Sequence, residues 1–245
     1  MKKSEIVYED RDILLVEKPA GLLSIPDRFD PAKENLVDLL RSGREEVLTV
    51  HRLDRETSGL MVFAKNQAAH KALSMQFEQR EVEKKYLAIL DGQLREEEGR
   101  IDLPIAESLS RSGKMECRGK GKESLTLFRV LETFKGFTLV EVKLQTGRTH
   151  QIRVHFSAIG HPLAIDPMYG GREAFFLSEI KGRRFRLGKD QEERPLMSRT
   201  PLHACFLQLV HPVTEEVLKF ESEVPKDFRA VVNQLRKWAP FSPGI

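Results

Sequence analysis

Residues 50–60, VHRLDRETSGL, stand where one apolar segment, VLTV, ends at Val50 and another, LMVFAK, begins at Leu60. Two short apolar runs parted by Asp, Thr, Ser and Gly read as strand, turn, strand. Asp54 with Thr57, Ser58 and Gly59 is ordinary turn chemistry, because such side chains satisfy backbone amides and glycine accepts positive φ. The turn does not need His51, Arg52 and Arg55 beside the aspartate. Adjacent cations hold a carboxylate ionised and also attract phosphate, and an ionised aspartate in a basic setting can act as a nucleophile. Both readings of Asp54 stand on these residues alone.

On either side the pattern continues in strands. IVYE and DILLVEK flank the acidic turn at 10–12, and Pro19, Pro26 and Pro31 keep the following stretch irregular. Residues 35–41 predict a short helix. Asn66 predicts an N-cap for a helix running through Gln79 with Ala69, Ala72, Leu73 and Phe77 on one face. Residues 85–94 predict a strand, 125–133 and 137–144 a hairpin around Lys135-Gly136, and 149–159 a helix. A second hairpin is expected from 203–210 and 216–222. Residues 226–238 form an amphipathic helix with Phe228, Val231, Val232 and Leu235 inward. Hairpins with interspersed helices and no regular βαβ alternation predict an α+β fold on a mixed, mostly antiparallel central sheet, as a single domain over residues 1–245.

The formal charge of +3 is too small to identify a partner, but its distribution is uneven. Residues 111–122 carry five basic side chains against one acidic, and residues 181–199 seven against three, so two basic loops are expected, meeting either RNA phosphates or solvent. Cys117 and Cys205 lack CxxC spacing, which excludes a zinc ribbon and a disulfide framework. The charged N-terminus has no apolar signal core and no run reaches membrane-spanning length, so a cytoplasmic protein with no membrane partner is expected.

A second polar cluster, QTGRTHQIRVH at 145–155, enters the predicted helix, on which Ile152, Phe156 and Ile159 make an apolar stripe. Arg153 falls at the stripe's edge, where it either pairs with a carboxylate or snorkels from a core helix. His150 and His155 lie about 140° apart on an ideal helix, which argues against one shared metal face. The run GKMECRGKGK has five residues between Gly113 and Gly119 where a phosphate-binding loop has four, and no Ser or Thr after Lys120. Tyr86 begins a strand behind three charged residues; it packs on the sheet with a wet hydroxyl, or it offers a ring to an extruded base.

HRLDRETSG, then KKYLAILDG, then GRTHQIRVHFSAIGHPLAIDPMYGG resemble, in order and spacing, the RluA-type pseudouridine synthases. IVYEDRDILLVEKPAGLLSIP and PLHACFLQLVHPVTEEVLKFESEVPKDF resemble the opening and the close of the same catalytic domain, so the resemblance covers nearly the whole chain. It implies a catalytic cleft across the sheet, with Asp54 as the catalytic aspartate, Tyr86 as the active-site tyrosine and Arg153 as the basic residue paired with the aspartate. Arg52 is implied to occupy the space left by a flipped nucleotide. His51, Arg55, Thr57, Arg148, His150 and Gln151, which flank these positions, are expected to meet the substrate RNA. The implied reaction isomerises a uridine in structured rRNA or tRNA, without cofactor or metal, by a route left open among attack on the sugar, attack on the base and a glycal intermediate. The RNA-binding module that precedes this domain in many relatives is expected to be absent, with recognition resting on the catalytic domain, here a monomer without an obligate protein partner. A protein that binds or folds RNA without catalysis is the alternative; a hydrolase using Asp54 is a third reading, weakened by the absence of a carboxylate-rich metal cluster in the sequence.

Overall fold

Where apolar residues alternate or run together, strands form, as the computed structural model shows over its described residues, 4–188 and 192–241. The first strands are β1 (Glu5–Glu9) and β2 (Ile13–Lys18), paired antiparallel. The proline-bearing stretch is irregular up to α1 (Leu36–Arg41), which Asn35 caps by accepting from the Asp38 amide at 3.0 Å. β3 (Leu48–Thr49) and β4 (Ser58–Ala64) flank the Asp54 turn and pair antiparallel, as expected. Asn66 accepts from the Ala69 amide at 2.9 Å and starts α2 (Gln67–Glu78). β5 (Glu83–Asp91) begins two residues earlier than expected and stops three earlier, because Gly92 turns the chain at φ +86°.

Three strands escape the sequence pattern. β6 (Glu98–Asp102) is largely charged, and β7 (Ile105–Glu107) and β8 (Met115–Cys117) are only three residues each. The β7–β8 pair corrects the expectation of a loop over 111–122: part of that basic run is a hairpin strand. β9 (Leu125–Phe134) and β10 (Phe137–Leu144) make the predicted hairpin, turned at Gly136 with φ +83°. α3 (Gln151–Ala158) is shorter than expected at both ends, since His150 takes the left-handed conformation at φ +56° and Ile159 is an exposed C-cap. After α4 (Leu177–Lys181) and a 3-10 turn at Gly182–Arg184 come β11 (Leu202–Val210), β12 (Val217–Glu221) and α5 (Lys226–Trp238). Phe228, Val231, Val232 and Leu235 of α5 are all buried, as its periodicity predicts.

The chain forms two compact units, each assembled from separated stretches: residues 1–86 with 203–223, and residues 87–202 with 224–245. In the first, β4 lies between β2 and β11; β3 also pairs with β4, and β12 with β11. Only the contact of β4 with β11 is parallel among the pairings described there, through His203 opposite Ser58 and Ala204 opposite Gly59. In the second, β10 lies between β5 and β9, and β6 pairs antiparallel with β9. The architecture is therefore α+β with a mixed, mostly antiparallel sheet. Each unit has its own core, Ile13, Leu15, Leu60, Val62, Leu73 and Leu207 among those of the first, and Ile89, Phe134, Phe137, Phe175, Phe228 and Leu235 among those of the second. No helix among the described residues is long and apolar enough to cross a membrane.

Gly59 is fixed by this packing. Its φ is +114°, and a Cβ there would lie 2.2 Å from the Ala204 carbonyl oxygen on the parallel partner strand. At Gly136, φ is +83° but an added Cβ meets nothing within 4 Å. Gly59→Ala is therefore expected to lower the unfolding free energy by at least about 3 kcal/mol, against about 1 kcal/mol for Gly136→Ala. Urea titration of the two variants measures the difference.

Candidate active site

The backbone on both sides of Asp54 is tied to the irregular segment after β2. Lys18, the last residue of β2, has a relative exposure of 0%. Its Nζ donates to the carbonyl oxygens of Pro19 (3.1 Å), Leu22 (2.7 Å) and Arg55 (3.0 Å). The Gly21 amide donates to the same Arg55 carbonyl at 2.8 Å, and Arg55 Nε returns a bond to the Gly21 carbonyl at 3.1 Å. On the other flank, Ser24 Oγ donates to the Leu53 carbonyl and stands 3.1 Å from the Leu53 amide. Within the turn the Thr57 amide donates to the Asp54 carbonyl at 3.1 Å, and Thr57 itself is buried. Asp54 is half-buried, and Arg52 and Arg55 are exposed beside it.

Tyr86 belongs to the same unit and is buried, with a relative exposure of 7%. Burial pushes its phenol well above the ordinary tyrosine range; the charge of Asp54, and then Cys205, add to the rise. Asp54 and Tyr86 are thus brought within electrostatic reach of one another.

His51 is held differently. Its ring stacks on Phe77, centroids 4.7 Å apart at 20°, and its Nε2 accepts from the Val62 amide at 3.0 Å. An accepting Nε2 requires a neutral ring with the proton on Nδ1. Burial, with the nearby charge of Lys84, pushes the His51 pKa down to about 3, the same direction that the hydrogen bond demands, although the ring keeps some solvent contact. His51 shapes the turn from beneath.

In the second unit, Arg153 forms a two-pronged pair with Asp166: Nε to Oδ2 at 2.7 Å and Nη2 to Oδ1 at 2.9 Å. The Arg153 side chain has 12% exposure and that of Asp166 0%. Asp166 Oδ1 also accepts from the amides of Met168 and Tyr169, both at 3.1 Å. Arg153 is accordingly oriented by a bidentate partner, and does not snorkel. Gln151 is buried, its Oε1 accepting from Thr146 Oγ1 (2.8 Å) and the Arg148 amide (3.0 Å) while its Nε2 donates to the Leu125 carbonyl (3.1 Å) and Thr126 Oγ1 (3.0 Å). Arg148 reaches the Glu123 carbonyl through Nε at 3.2 Å.

His150 precedes α3, so only His155 of the two histidines lies on the helix. His150 Nδ1 stands 2.9 Å from the Tyr169 hydroxyl, whereas His155 is buried between Thr126 Oγ1 and the Leu103 carbonyl, each 2.9 Å away. A group the sequence reading missed, Asp10, Asp12 and His211, has potential ligand atoms within 4.8 Å of one another. Asp10 there accepts from the amides of Asp12 and Ile13, from Tyr8 and from His211, bonds that close the β1–β2 turn. Arg199, expected on a basic loop, is instead buried in a two-pronged pair with Asp227 at 2.7 and 2.9 Å. Residues 189–191 of that expected loop lie outside the described residues.

A model of the family described as RNA pseudouridylate synthase matches residues 12–158. The chain belongs to this family, isomerases that act on RNA. It is 41% identical over 240 residues to ribosomal large subunit pseudouridine synthase D of Pseudomonas aeruginosa, covering 95% of this chain and 72% of the relative. To the uncharacterized RNA pseudouridine synthase YlyB of Bacillus subtilis it is 37% identical over 246 residues, covering 95% and 73%. Among solved structures, human RNA pseudouridylate synthase domain containing 1 superposes with a TM-score of 0.71 at 31% identity, over 98% of this chain and 90% of that one.

Two measurements follow from the turn. Below pH 6.5 the unfolded chain protonates His51, while the folded chain refuses that proton down to about pH 3. His51 therefore contributes stability that is complete above pH 6.5 and is lost as pH falls through that window. His51→Gln should give a shallower fall of unfolding free energy with acidity; identical slopes would place the dependence elsewhere. Lys18→Met, which takes the Nζ donor from the Pro19 and Leu22 carbonyls and leaves the Arg55 carbonyl to the Gly21 amide, is expected to cost at least about 2 kcal/mol by the same urea titration.

Proposed function

We infer that this protein converts uridine to pseudouridine in structured ribosomal RNA, with Asp54 as the catalytic carboxylate. The observation that carries the reading is the Asp54 turn itself. A half-buried carboxylate, fixed through the backbone on both flanks and within the field of a buried tyrosine, lies at the HRLD motif of a family member. The names of relatives such as synthase D of Pseudomonas aeruginosa favour large-subunit ribosomal RNA over transfer RNA as the substrate.

A uracil stacked in a helix is out of reach, so the target nucleotide is flipped out before reaction. Exposed Arg52 and Arg55 supply phosphate contacts and Arg52 the filler for the vacated stack, while His51 and buried Thr57 support the turn that carries them. In the reaction the bond from uracil N1 to ribose C1′ breaks, the ring turns, C5 bonds to C1′, and the proton on C5 leaves as N1 gains one. No redox partner is required, and the product is an isomer. Asp54 stabilises or captures the separated fragment, Tyr86 bears on the base, and Arg153 contributes a guanidinium whose direction Asp166 fixes. The protein acts as a cytoplasmic monomer.

Large-subunit ribosomal RNA transcribed in vitro contains no pseudouridine. Incubated with the protein and mapped by carbodiimide-dependent reverse-transcription stops, it should acquire at least one new stop. Asp54→Asn should reduce conversion by at least about a thousandfold while RNA binding by filter retention stays intact. Arg153→Lys, which cannot form the fork, should lower kcat by about a hundredfold. Binding without any new stop would leave an RNA-binding protein; shortened RNA would indicate a hydrolase.

A further inference from the structure

Tyr169 follows Asp166 by three residues in the turn DPMYGG. Its amide is one of the donors to Asp166, and its ring centroid lies 5.0 Å from the guanidinium carbon of Arg153. Its carbonyl accepts from Ser157 Oγ of α3 at 3.0 Å. The same side chain extends to the basic hairpin. Its hydroxyl accepts from the Met115 amide at the start of β8, 2.8 Å away, and Lys114 Nζ stands 5.5 Å from the ring centroid. The hydroxyl also meets Nδ1 of His150 at 2.9 Å, and the two rings pack edge to face. A half-buried tyrosine needs one partner for its hydroxyl; this one joins β8, the left-handed residue before α3, and the oriented arginine.

We propose that Tyr169 is a positioning residue that registers the β7–β8 hairpin, used as a grip on RNA phosphates, against Arg153. The inference rests on the pseudouridine synthase reading given above. The hairpin run 111–122 carries a local charge of +4, so phosphates held there are placed along the RNA strand wherever the hairpin is placed. Its hydroxyl sets the hairpin's position, and its ring the attitude of the guanidinium. The two parts of one side chain therefore govern separate steps, substrate placement and chemistry.

Tyr169→Phe keeps the ring and loses both hydroxyl links, whereas Tyr169→Leu loses the ring face as well. With [5-³H]uridine-labelled large-subunit ribosomal RNA transcribed in vitro, release of tritium from C5 gives kcat and KM for the full chain. Tyr169→Phe should raise KM about fivefold and leave kcat within about twofold, the size of one lost hydrogen bond. Tyr169→Leu should in addition lower kcat about tenfold or more. Amide hydrogen exchange over 115–117 should quicken in Tyr169→Phe while α3 keeps its protection. An unchanged KM, or a loss in kcat at unchanged KM, overturns the proposal for Tyr169→Phe. Unchanged exchange over 115–117 overturns it independently of catalysis. Failure of the wild-type protein to release tritium would instead defeat the functional reading, with the exchange measurement still deciding whether the tether exists.

Discussion

The buried amino group of Lys18 is the constraint on which the Asp54 turn depends. A charged side chain without water is costly unless every donor is met, and an ammonium has three donors in one place. The segment after β2 contains Pro19 and cannot extend the sheet ladder, so its carbonyls need donors from elsewhere. Lys18 supplies them to Pro19 and Leu22 and reaches the carbonyl of Arg55 as well. One interaction thereby satisfies an irregular loop and fixes the residue after Asp54, while Ser24 fixes the residue before it. A hydrophobic residue of similar length would fill the volume and leave the turn to the weaker set of ties from Gly21 and Ser24.

The second unit solves a related problem with the charges reversed. Asp166 is wholly buried, and its two oxygens accept from the guanidinium of Arg153 and from two successive amides of its own turn. The amides hold the carboxylate and the carboxylate holds the arginine. A planar guanidinium gripped at two nitrogens has a defined orientation that a lysine in the same place would lack. Lys18 and Asp166 are alike in that each charged group is spent on geometry within its own unit.

Much of the fold was legible because periodicity records burial on one face. The four inward residues of α5, the cap at Asn66, and the two long hairpins are local patterns, and each appears as expected. β6 was not, because a strand reading EGRID carries too few apolar residues to alternate. The start of α3 was misplaced because nothing local marks His150 for positive φ. In the candidate site, the motif positions were visible but their supports were not. Lys18 reads as the polar end of a strand and Arg199 as one more basic residue of a loop. Their partners lie 37 and 28 residues away, and only tertiary structure brings them together. The same holds for the hydrogen-bonded chain from Ser58 through His203 and Ser222 to Glu17, which joins residues up to 205 positions apart.

The contrast between Asp54 and Tyr86 narrows what each can do in the proposed reaction. Burial and the neighbouring carboxylate both raise the phenol's pKa, so Tyr86 stays protonated across the physiological range. A general base at that position is therefore disfavoured, and the useful properties that remain are an apolar ring face and an O–H donor. Stacking on an extruded pyrimidine needs such a neutral ring, because a phenolate there would repel the carboxylate beside it. Asp54, half-exposed with Arg52 and Arg55 as sequence neighbours, can take the anionic role without competition from the tyrosine. Tyr86 thus stays neutral close to a half-exposed aspartate, and the two side chains are suited to different capacities in the proposed reaction.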